Sequence, residues 1–294
     1  MEKIKKNAKL ISLIILGALA VVIWYAVFYL EGRQNLLVSF FDIGQGDSVF
    51  IEVPSGNQIL VDGGPSDRIL AKLGRAMPFW DRSIDLLILT HPHADHVTGL
   101  FEVLKRYDIG MVLESGAEYS TPEYKEWHEL LQKKKVPVAI AHAGEKLILG
   151  KGTILDVLSP WDNYVSVSLK NPHDANIVGR LTYGQNSILL MGDAERPIEQ
   201  RLLFESLNSK FIILDSDILK VGHHGSKTSS SEDFLRVVSP KVAIIQAGRK
   251  NRYGHPTQEV LDRLAAVGAK ILRNDLEGDI FLASDGTSYS VKSK

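Results

Sequence analysis

Cysteine is absent from this sequence of 294 residues. Its absence excludes a disulfide framework, thiolate zinc sites, iron–sulfur clusters and cysteine nucleophiles. Any metal site must therefore be built from histidine and carboxylate side chains. An excess of one charge is also missing, because 34 Lys and Arg residues stand against 35 Asp and Glu residues, and the formal net charge is -1. This balance argues against a strongly basic nucleic-acid-binding protein.

The overall composition is that of a chain that buries a core. Hydrophobic residues make up 45% and charged residues 23%, which excludes a disordered protein. Residues 36–294 contain no repeat, low-complexity tract or Pro/Gly-rich linker, so we predict one large domain there. The segment Gly44-Gln-Gly-Asp47 has no lysine and no predicted helix after it, which excludes the phosphate-binding loop of nucleotide-binding proteins.

Charged side chains are also missing from residues 10–30. This apolar run matches the roughly 20 residues that a helix needs to cross a bilayer, and it predicts a transmembrane signal anchor. Because lysines precede the run, the positive-inside rule predicts a cytoplasmic basic tail at residues 1–9. The linker at residues 31–35 and the rest of the chain are then outside the cytoplasm, and the protein is a single-pass protein of the cell membrane. A cleavable signal peptide is the alternative, although apolar residues continue well beyond Ala18-Leu-Ala20.

Short apolar strands alternate with amphipathic helices from Leu36 onward. The periodicity predicts about fifteen strands. The predicted helices lie at residues 66–75, 97–106, 122–134, 197–207, 231–238 and 257–267. So many strands exceed what one twisted open sheet usually holds. We therefore predict an α/β (α+β) fold in which two sheets pack together and helices cover their outer faces.

Three of the nine histidines fall within six residues, directly after an apolar segment. His91, His93 and His96, together with Asp95, follow the strand predicted at residues 85–90. Imidazole and carboxylate groups suit zinc, manganese or iron. Four ligands in so short a loop exceed what one tetrahedral ion accepts from it. We therefore predict two divalent ions, with His91 and His93 on one and Asp95 and His96 on the other.

Two further predicted strands end at side chains that suit the same site. The strand at residues 187–191 ends at Gly192-Asp193, which taken alone is only a turn after a strand. Beside a metal site, we predict that Asp193 bridges both ions. The strand at residues 218–221 is followed by His223 and His224. We predict that one of these histidines is a metal ligand and that the other contacts the substrate.

The segment His91-Pro-His-Ala-Asp-His96 resembles the H-x-H-x-D-H motif of the metallo-β-lactamase superfamily. Further segments are similar, in the same order, to motifs of the ComEC-type competence proteins: Phe41–Asp47, Val61–Gly64, Met191–Asp193, Lys220–Ser226 and Tyr253–Pro256. Those are membrane proteins of DNA uptake that carry a metallo-hydrolase domain. The resemblance implies a four-layer αββα sandwich over residues 36–294, in agreement with the two-sheet prediction.

The resemblance also implies roles for individual side chains. It makes metal ligands of His91, His93, Asp95, His96, Asp193 and His223, and leaves His224 as a substrate contact. Asp62 would hydrogen-bond the metal loop and hold the ligands in orientation. Many superfamily members supply one more histidine before the bridging aspartate. Here that region reads Asn171-Pro-His-Asp-Ala-Asn176, in which His173 or Asp174 is the candidate.

The remaining candidates are predicted to contact the substrate. Ser226 and Lys227 follow the histidine pair and would hold a phosphate oxygen. His255 would stabilise charge that develops on a phosphate or would donate a proton, beside the catalytic carboxylates Asp95 and Asp193. The structural alternatives are a turn histidine at His255 and a solvated approach to a helix at Ser226 and Lys227.

These observations lead to the hypothesis of a membrane-anchored phosphodiesterase or nuclease that uses two divalent ions, Zn or Mn, on DNA outside the cytoplasm. Such ions activate water and neutralise charge on a phosphate. With one predicted membrane segment, the chain resembles only the hydrolase part of the competence proteins, so a separate DNA-uptake channel is the expected partner. One alternative is a hydrolase of smaller substrates, such as phosphorylcholine esters or lactams. The other is a non-catalytic module that presents DNA to a transporter.

Overall fold

The computed structural model describes residues 2–31, 35–209 and 212–293. Over these residues the chain forms eight α-helices and fifteen strands. The helices are α1 Glu2–Glu31, α2 Arg68–Ala76, α3 Ala94–Arg106, α4 Pro122–Lys134, α5 Arg196–Asn208, α6 Glu232–Val238, α7 Gln258–Ala266 and α8 Asn274–Glu277. The strands are β1 Leu36–Phe40, β2 Val49–Glu52, β3 Gln58–Val61, β4 Ser83–Ile88, β5 Asp108–Glu114, β6 Val138–Ile140, β7 Lys146–Gly150, β8 Thr153–Ser159, β9 Val178–Tyr183, β10 Asn186–Leu190, β11 Ile218–Lys220, β12 Val242–Ile245, β13 Lys270–Arg273, β14 Ile280–Ser284 and β15 Tyr289–Ser293.

The strands form two sheets that pack face to face. The first has the order β15-β14-β1-β2-β3-β4-β5-β6, and the second has the order β13-β12-β11-β10-β9-β8-β7. Apolar side chains from both inner faces form the central core, among them Val38 and Ile51 of the first sheet and Leu181 and Ile244 of the second. Since alternate residues of a strand point to opposite faces, the other side chains of these strands point towards the helices.

Helices cover the outer face of each sheet. The first sheet packs against α2, α3 and α4 through buried side chains such as Leu73, Leu100 and Trp127. The second packs against α5, α6 and α7, where Leu202 and Phe234 are buried. Each such side chain contributes about 1.5–3 kcal/mol when it is removed from water. The four layers are therefore helix, sheet, sheet and helix, which confirms the predicted sandwich.

The structure differs from the predicted elements mainly in short segments. Helix α3 begins at Ala94 rather than Val97, because His93 is extended and its carbonyl accepts the first helical hydrogen bonds, from His96 and Val97 at 2.9 Å. The 3₁₀ turn at Pro172–Ala175 and the short helix α8 were not predicted, and the tight turn at Gly222–Gly225 contains two left-handed residues, His223 and His224. A single turn is too short to show a helical period in the sequence.

The N-terminal segment forms helix α1. Within the described residues, no helix meets both the length and the apolar character needed to cross a membrane. The predicted transmembrane segment therefore stays a prediction, as do the domain boundaries. Residues 32–34 of the predicted linker lie outside the described residues.

The sheet topology places several loops at one rim of the sandwich. Strands β3 to β6 run parallel, and so do β10 to β13. Parallel strands direct their carboxyl ends to the same edge, which is where open α/β sheets bind ligands. The loops after β4, β10, β11 and β12 carry the histidine-rich motifs, and His91 of one sheet lies 3.7 Å from Asp193 of the other. The candidate functional residues therefore lie at this rim.

Candidate metal centre

The loop after β4 brings three imidazoles into contact. The ring centroid of His91 lies 4.6 Å from that of His93 and 4.2 Å from that of His96. His91 and His96 are buried, whereas His93 and Asp95 are partly exposed. Asp95 and His96 lie in the first turn of α3, where a carboxylate interacts favourably with the helix dipole.

Asp62 supports this loop from the end of β3. Its carboxylate accepts hydrogen bonds from the Thr90 amide at 2.9 Å, from the Thr90 hydroxyl at 2.7 Å and from His96 Nδ1 at 2.8 Å. The hydrogen bond to Nδ1 leaves Nε2 of His96 free to face the centre of the site. Asp62 thus holds both the loop and one imidazole in orientation, as ligand-supporting carboxylates do.

Asp193 lies at the centre of the site. Its Oδ2 lies 3.7 Å from His91 Nε2, 3.4 Å from His96 Nε2 and 3.5 Å from His224 Nε2. The backbone at this turn is held by Asn176, whose side-chain carbonyl accepts a hydrogen bond from the Asp193 amide at 2.9 Å. A single buried carboxylate therefore faces imidazoles from both sheets.

The two histidines after β11 occupy different environments. His224 is buried, its Nδ1 lies 2.9 Å from the Gln246 carbonyl, and its Nε2 lies 3.3 Å from Asp95 Oδ2. His223 is partly exposed, and its Nδ1 lies 3.0 Å from Glu195 Oε1. Both residues have left-handed backbone conformations, with φ of 46° and 53°, and their ring centroids are 6.0 Å apart. This sharp turn separates the two imidazoles.

Four groups of side chains within the described part of the chain can hold a cation, and in each group the ligand atoms lie within 4.8 Å of one another. They are His91, His93, His173 and Asp193; Asp95, His96 and His224; His173, Glu195 and His223; and Asp47, His96 and Asp193. The first two groups correspond to the two predicted ions. They include His224 where the resemblance implied His223.

His173 joins the first group from the 3₁₀ turn at Pro172–Ala175. Its Nε2 lies 3.2 Å from His93 Nδ1. Asp174, the other candidate of this segment, is exposed and accepts a hydrogen bond from the Asn171 side chain. The structure therefore brings His173, and not Asp174, to the position that the sequence left open.

Burial and mutual contact shift the pKa values of these groups in opposite directions. Burial and the neighbouring His96 lower the pKa of His91 well below its usual value. Burial and the neighbouring His173 lower the pKa of His93 to about 4. Although burial opposes it, Asp193 and Asp47 raise the pKa of His224 to about 10. His224 and His96 in turn lower the pKa of Asp193 well below its usual value, against the effect of burial. Carboxylate and imidazolium charges thus compensate one another.

Several ligand atoms of this site are buried and have no hydrogen-bond partner among the described residues. They are Nε2 of His91, His96 and His224, Nδ1 of His173 and Oδ1 of Asp193. A buried polar atom without a partner costs about 1–3 kcal/mol. Imidazole nitrogens and carboxylate oxygens that converge in this way match the donor set of zinc or manganese. The residues present therefore fit divalent metal ions.

Two acidic residues and one lysine near the site were not predicted from the sequence. Lys220 is fully buried in β11, where its ammonium contacts Asp47 and donates a hydrogen bond to the Gly192 carbonyl at 2.9 Å. Asp47 Oδ1 lies 3.2 Å from His224 Nδ1. Glu195 contacts His223 and also accepts a hydrogen bond from Thr228 at 2.7 Å. A lysine within an apolar strand was the signal in the sequence for Lys220.

The predicted substrate contacts lie around the metal groups. The ring centroid of His255 is 5.6 Å from that of His223, and burial with His223 lowers the pKa of His255 to about 4. The Ser226 hydroxyl is buried and hydrogen-bonds to Thr228 at 2.8 Å. Lys227 is exposed and lines a cavity of about 390 Å³ beside Glu195. His255 is therefore the residue of the three whose ring contacts an imidazole of the site.

Comparison with known proteins relates the chain to an established family. The profile described as "Metallo-beta-lactamase superfamily" matches residues 41–249. The chain is 31% identical to ComE operon protein 3 of Bacillus subtilis (strain 168) over 83% of its length, and 31% identical to competence protein ComA of Neisseria gonorrhoeae over 84%. It spans 32% of the length of each of these relatives.

One solved structure covers nearly the same length of chain. Igni18, a metallo hydrolase from Ignicoccus hospitalis KIN4/I, superposes with a TM-score of 0.51 and 13% identity, over 88% of this chain and 99% of Igni18. At this identity the likeness concerns the fold alone.

Proposed function

Because the chain belongs to the metallo-beta-lactamase superfamily, we propose that it is a metal-dependent phosphodiesterase that acts on DNA. The observation that carries this proposal is the pair of ligand groups that converge on Asp193. Two ligand groups that face one shared carboxylate suit the displacement of a phosphate ester, in which both the attacking and the leaving oxygen need charge stabilisation.

Each ligand group would hold one divalent ion, zinc or manganese. His91, His93 and His173 would hold the first, Asp95, His96 and His224 would hold the second, and Asp193 would contact both. When bound, such ions lower the pKa of water and offset negative charge on a phosphate. Asp62 and the Gln246 carbonyl keep the ring nitrogens that face the ions in position, because each occupies the opposite nitrogen of its imidazole.

Residues at the mouth of the site would bind the substrate. His255 and His223 are both partly exposed and lie beside the first ligand group. Lys227 lies on the neighbouring cavity, from which its ammonium would reach a phosphate oxygen. These groups would orient the ester and offset charge that develops on it.

DNA as the substrate rests on similarity to competence proteins. The chain corresponds to about a third of their length, so a role beside a separate DNA-uptake channel is part of the proposal. We also propose that residues 10–30 anchor the chain in the membrane with the hydrolase domain outside the cytoplasm. The run has no charged residue, and side chains such as Leu13 and Val21 are more than half exposed. Protease added to spheroplasts would digest the domain if this topology is right, and full protection would contradict it.

The activity can be tested with the full chain in a mild detergent. After loading with Mn²⁺ or Zn²⁺, it is offered single-stranded DNA, double-stranded DNA, a small phosphodiester, a phosphorylcholine ester and a lactam. We expect DNA cleavage that requires metal and is lost in His91→Ala. Turnover of a small ester or lactam with intact DNA would support the smaller-substrate hydrolase instead. Two bound metals without any turnover would support the non-catalytic module.

A further inference from the structure

One exposed loop next to the site combines basic side chains with an aromatic ring. We call residues 248–256 the basic loop. Arg249, Lys250 and Arg252 are exposed. The guanidinium of Arg252 lies 5.2 Å from the centroid of the Tyr253 ring and donates a hydrogen bond to its hydroxyl at 3.1 Å. The Tyr253 side chain is 55% exposed, so it is not part of the packed core and its ring is open to contact with a ligand.

The basic loop is held in one conformation by Asn251. Its side-chain amide donates to the Gly248 carbonyl at 2.8 Å and to the His255 carbonyl at 2.6 Å. Its side-chain carbonyl accepts from the amides of Tyr253 at 3.2 Å and His255 at 3.0 Å. The Gly248 amide donates to the Gln45 side chain at 3.1 Å, which attaches the loop to the segment after β1. Hydrogen bonds that fix the loop reduce the conformational entropy that a ligand would otherwise have to remove on binding.

A row of aromatic rings connects the loop to the metal groups. Ring centroids are separated by 5.9 Å between Tyr253 and His255, by 5.6 Å between His255 and His223, and by 4.5 Å between His223 and His173. The Tyr253 and His255 rings are nearly parallel, at 26°. The row therefore leads from the surface to a residue of the first ligand group.

The loop that carries the outer end of this row also lines a cavity with cationic side chains. Arg249 and Lys250 line a cavity of about 340 Å³ together with Arg68, and Asp42 is the carboxylate in its lining. Three cations against one carboxylate make this a positive region on a chain whose formal net charge is -1. A positive groove beside stacked rings is how proteins bind single strands without reading their sequence, since every base has a face that can stack.

We propose that the basic loop is a binding site for single-stranded nucleic acid, which it directs into the metal centre. An unstacked base packs on the surface formed by Tyr253 and Arg252, because aromatic rings and guanidinium planes both stack with bases. The adjacent phosphates contact Arg249 and Lys250, and the next phosphodiester passes along His255. The inference rests on the proposed phosphodiesterase activity and adds strand type and direction of entry. A duplex, whose bases are already stacked, would use only the cations.

The proposal is tested by binding to a fluorescent oligo-dT, measured by anisotropy on the full chain with EDTA present so that no turnover occurs. Tyr253→Ala should weaken binding about 10-fold, because stacking on an aromatic ring contributes roughly 1–3 kcal/mol per base, and Tyr253→Phe should restore most of it. Arg249→Ala/Lys250→Ala should make the slope of log K against log salt less steep by about 1.4, from roughly 0.7 per phosphate contact. Circular dichroism checks that each variant is folded.

The matched control is Lys133→Ala/Lys134→Ala at the exposed end of α4, which removes the same charge outside the loop and should keep the wild-type salt slope. The loop site would be overturned by any of three results. These are an equal change of salt slope in the control pair, undiminished binding by Tyr253→Ala, and no binding by the wild type. Hydrolysis by the metal-loaded chain is measured separately. If the chain cleaves DNA but the loop variants bind oligo-dT as the wild type does, the loop site is wrong and the proposed activity stands. If binding depends on the loop but no DNA is cleaved, the proposed activity is wrong and the loop site stands.

Discussion

Asp193 is the side chain that faces both ligand groups. Its Oδ2 lies between 3.4 and 3.8 Å from the Nε2 atoms of four histidines, one of which is His223 at 3.8 Å. His224 points its unpaired Nε2 at this carboxylate from a buried position, whereas His223 shares its Nδ1 with Glu195. At the scale of single residues, the two neighbouring histidines therefore differ in burial and in the partner of Nδ1.

We expect the metal content of His224→Ala to fall from about two ions per chain to about one, because Nε2 of His224 completes the group with Asp95 and His96. His223→Ala, its matched control, should retain both. The metal content of each purified variant, measured by mass spectrometry after dialysis, decides the matter. Loss of an ion in His223→Ala alone would restore the assignment implied by the family resemblance.

Lys220 and Asp47 form a buried ion pair behind His224. Lys220→Met should lower the free energy of unfolding by about 3 kcal/mol, because it breaks the buried ion pair and leaves Asp47 with His224 as its remaining cationic neighbour, at 3.2 Å. Asp47→Asn/Lys220→Met removes the Asp47 charge as well, and should be more stable than the single variant by about 2 kcal/mol. Urea unfolding of the metal-free chain measures both. Equal stability of the two variants would show that Lys220 does not act through its charge.

At the scale of elements, strand ends and helix starts position the site. The loops after β4, β10 and β11 each place a ligand at the rim, and α3 begins early enough to include Asp95 and His96 in its first turn.

Helices of the outer layer are also joined by side chains. Glu199 of α5 is buried and accepts hydrogen bonds from the Ser230 and Ser231 amides, which precede α6.

We expect Glu199→Ala to lower the free energy of unfolding by about 2 kcal/mol, because two amides beside α6 lose their acceptor. Gln200→Ala, the next residue of α5, is exposed and serves as the control; it should change stability by less than about 0.5 kcal/mol. Urea denaturation followed by circular dichroism measures the difference. An equally small effect in Glu199→Ala would mean that water replaces the carboxylate at these amides.

The alternation of apolar residues was enough to predict the elements. The helix predicted at residues 122–134 has the same bounds in the structure, and most other bounds differ by one to three residues. The segments that were missed are single turns. In the turn at Gly222–Gly225, His223 and His224 are left-handed, and both contact distant segments: the His223 amide donates to the Gly192 carbonyl at 3.1 Å, and His224 Nδ1 lies 2.9 Å from the Gln246 carbonyl. No periodic pattern records such a conformation.

At the scale of the whole molecule, the sandwich brings together ligands that are far apart in the chain. His91 and His96 follow β4 of the first sheet, whereas Asp193 and His224 follow β10 and β11 of the second, so a bound metal would join the two halves. A ligand that binds the folded state stabilises it against unfolding.

Metal should therefore raise the stability of the entire domain. At a free Mn²⁺ or Zn²⁺ concentration of about 100 times Kd, we expect a gain of about 2.7 kcal/mol per ion, and removal with EDTA should reverse it. The midpoint of urea unfolding across a metal titration gives the measurement. His91→Ala/His224→Ala, which removes one ligand from each group, should lose most of the gain. A full gain in that variant would locate the bound metal elsewhere.

The sequence by itself determined the family, the two-sheet sandwich and the residue types of the site, because periodicity and a dense histidine motif are local properties of the chain. The family and the sandwich are confirmed. Only the tertiary structure decided that His224 rather than His223 faces Asp95, that His173 joins the first group, and that Lys220 compensates Asp47. These are contacts between distant segments, and Lys220 and Asp47 are 173 residues apart. Which side chains meet at the rim depends on how the two sheets pack, and no short stretch of sequence contains that information.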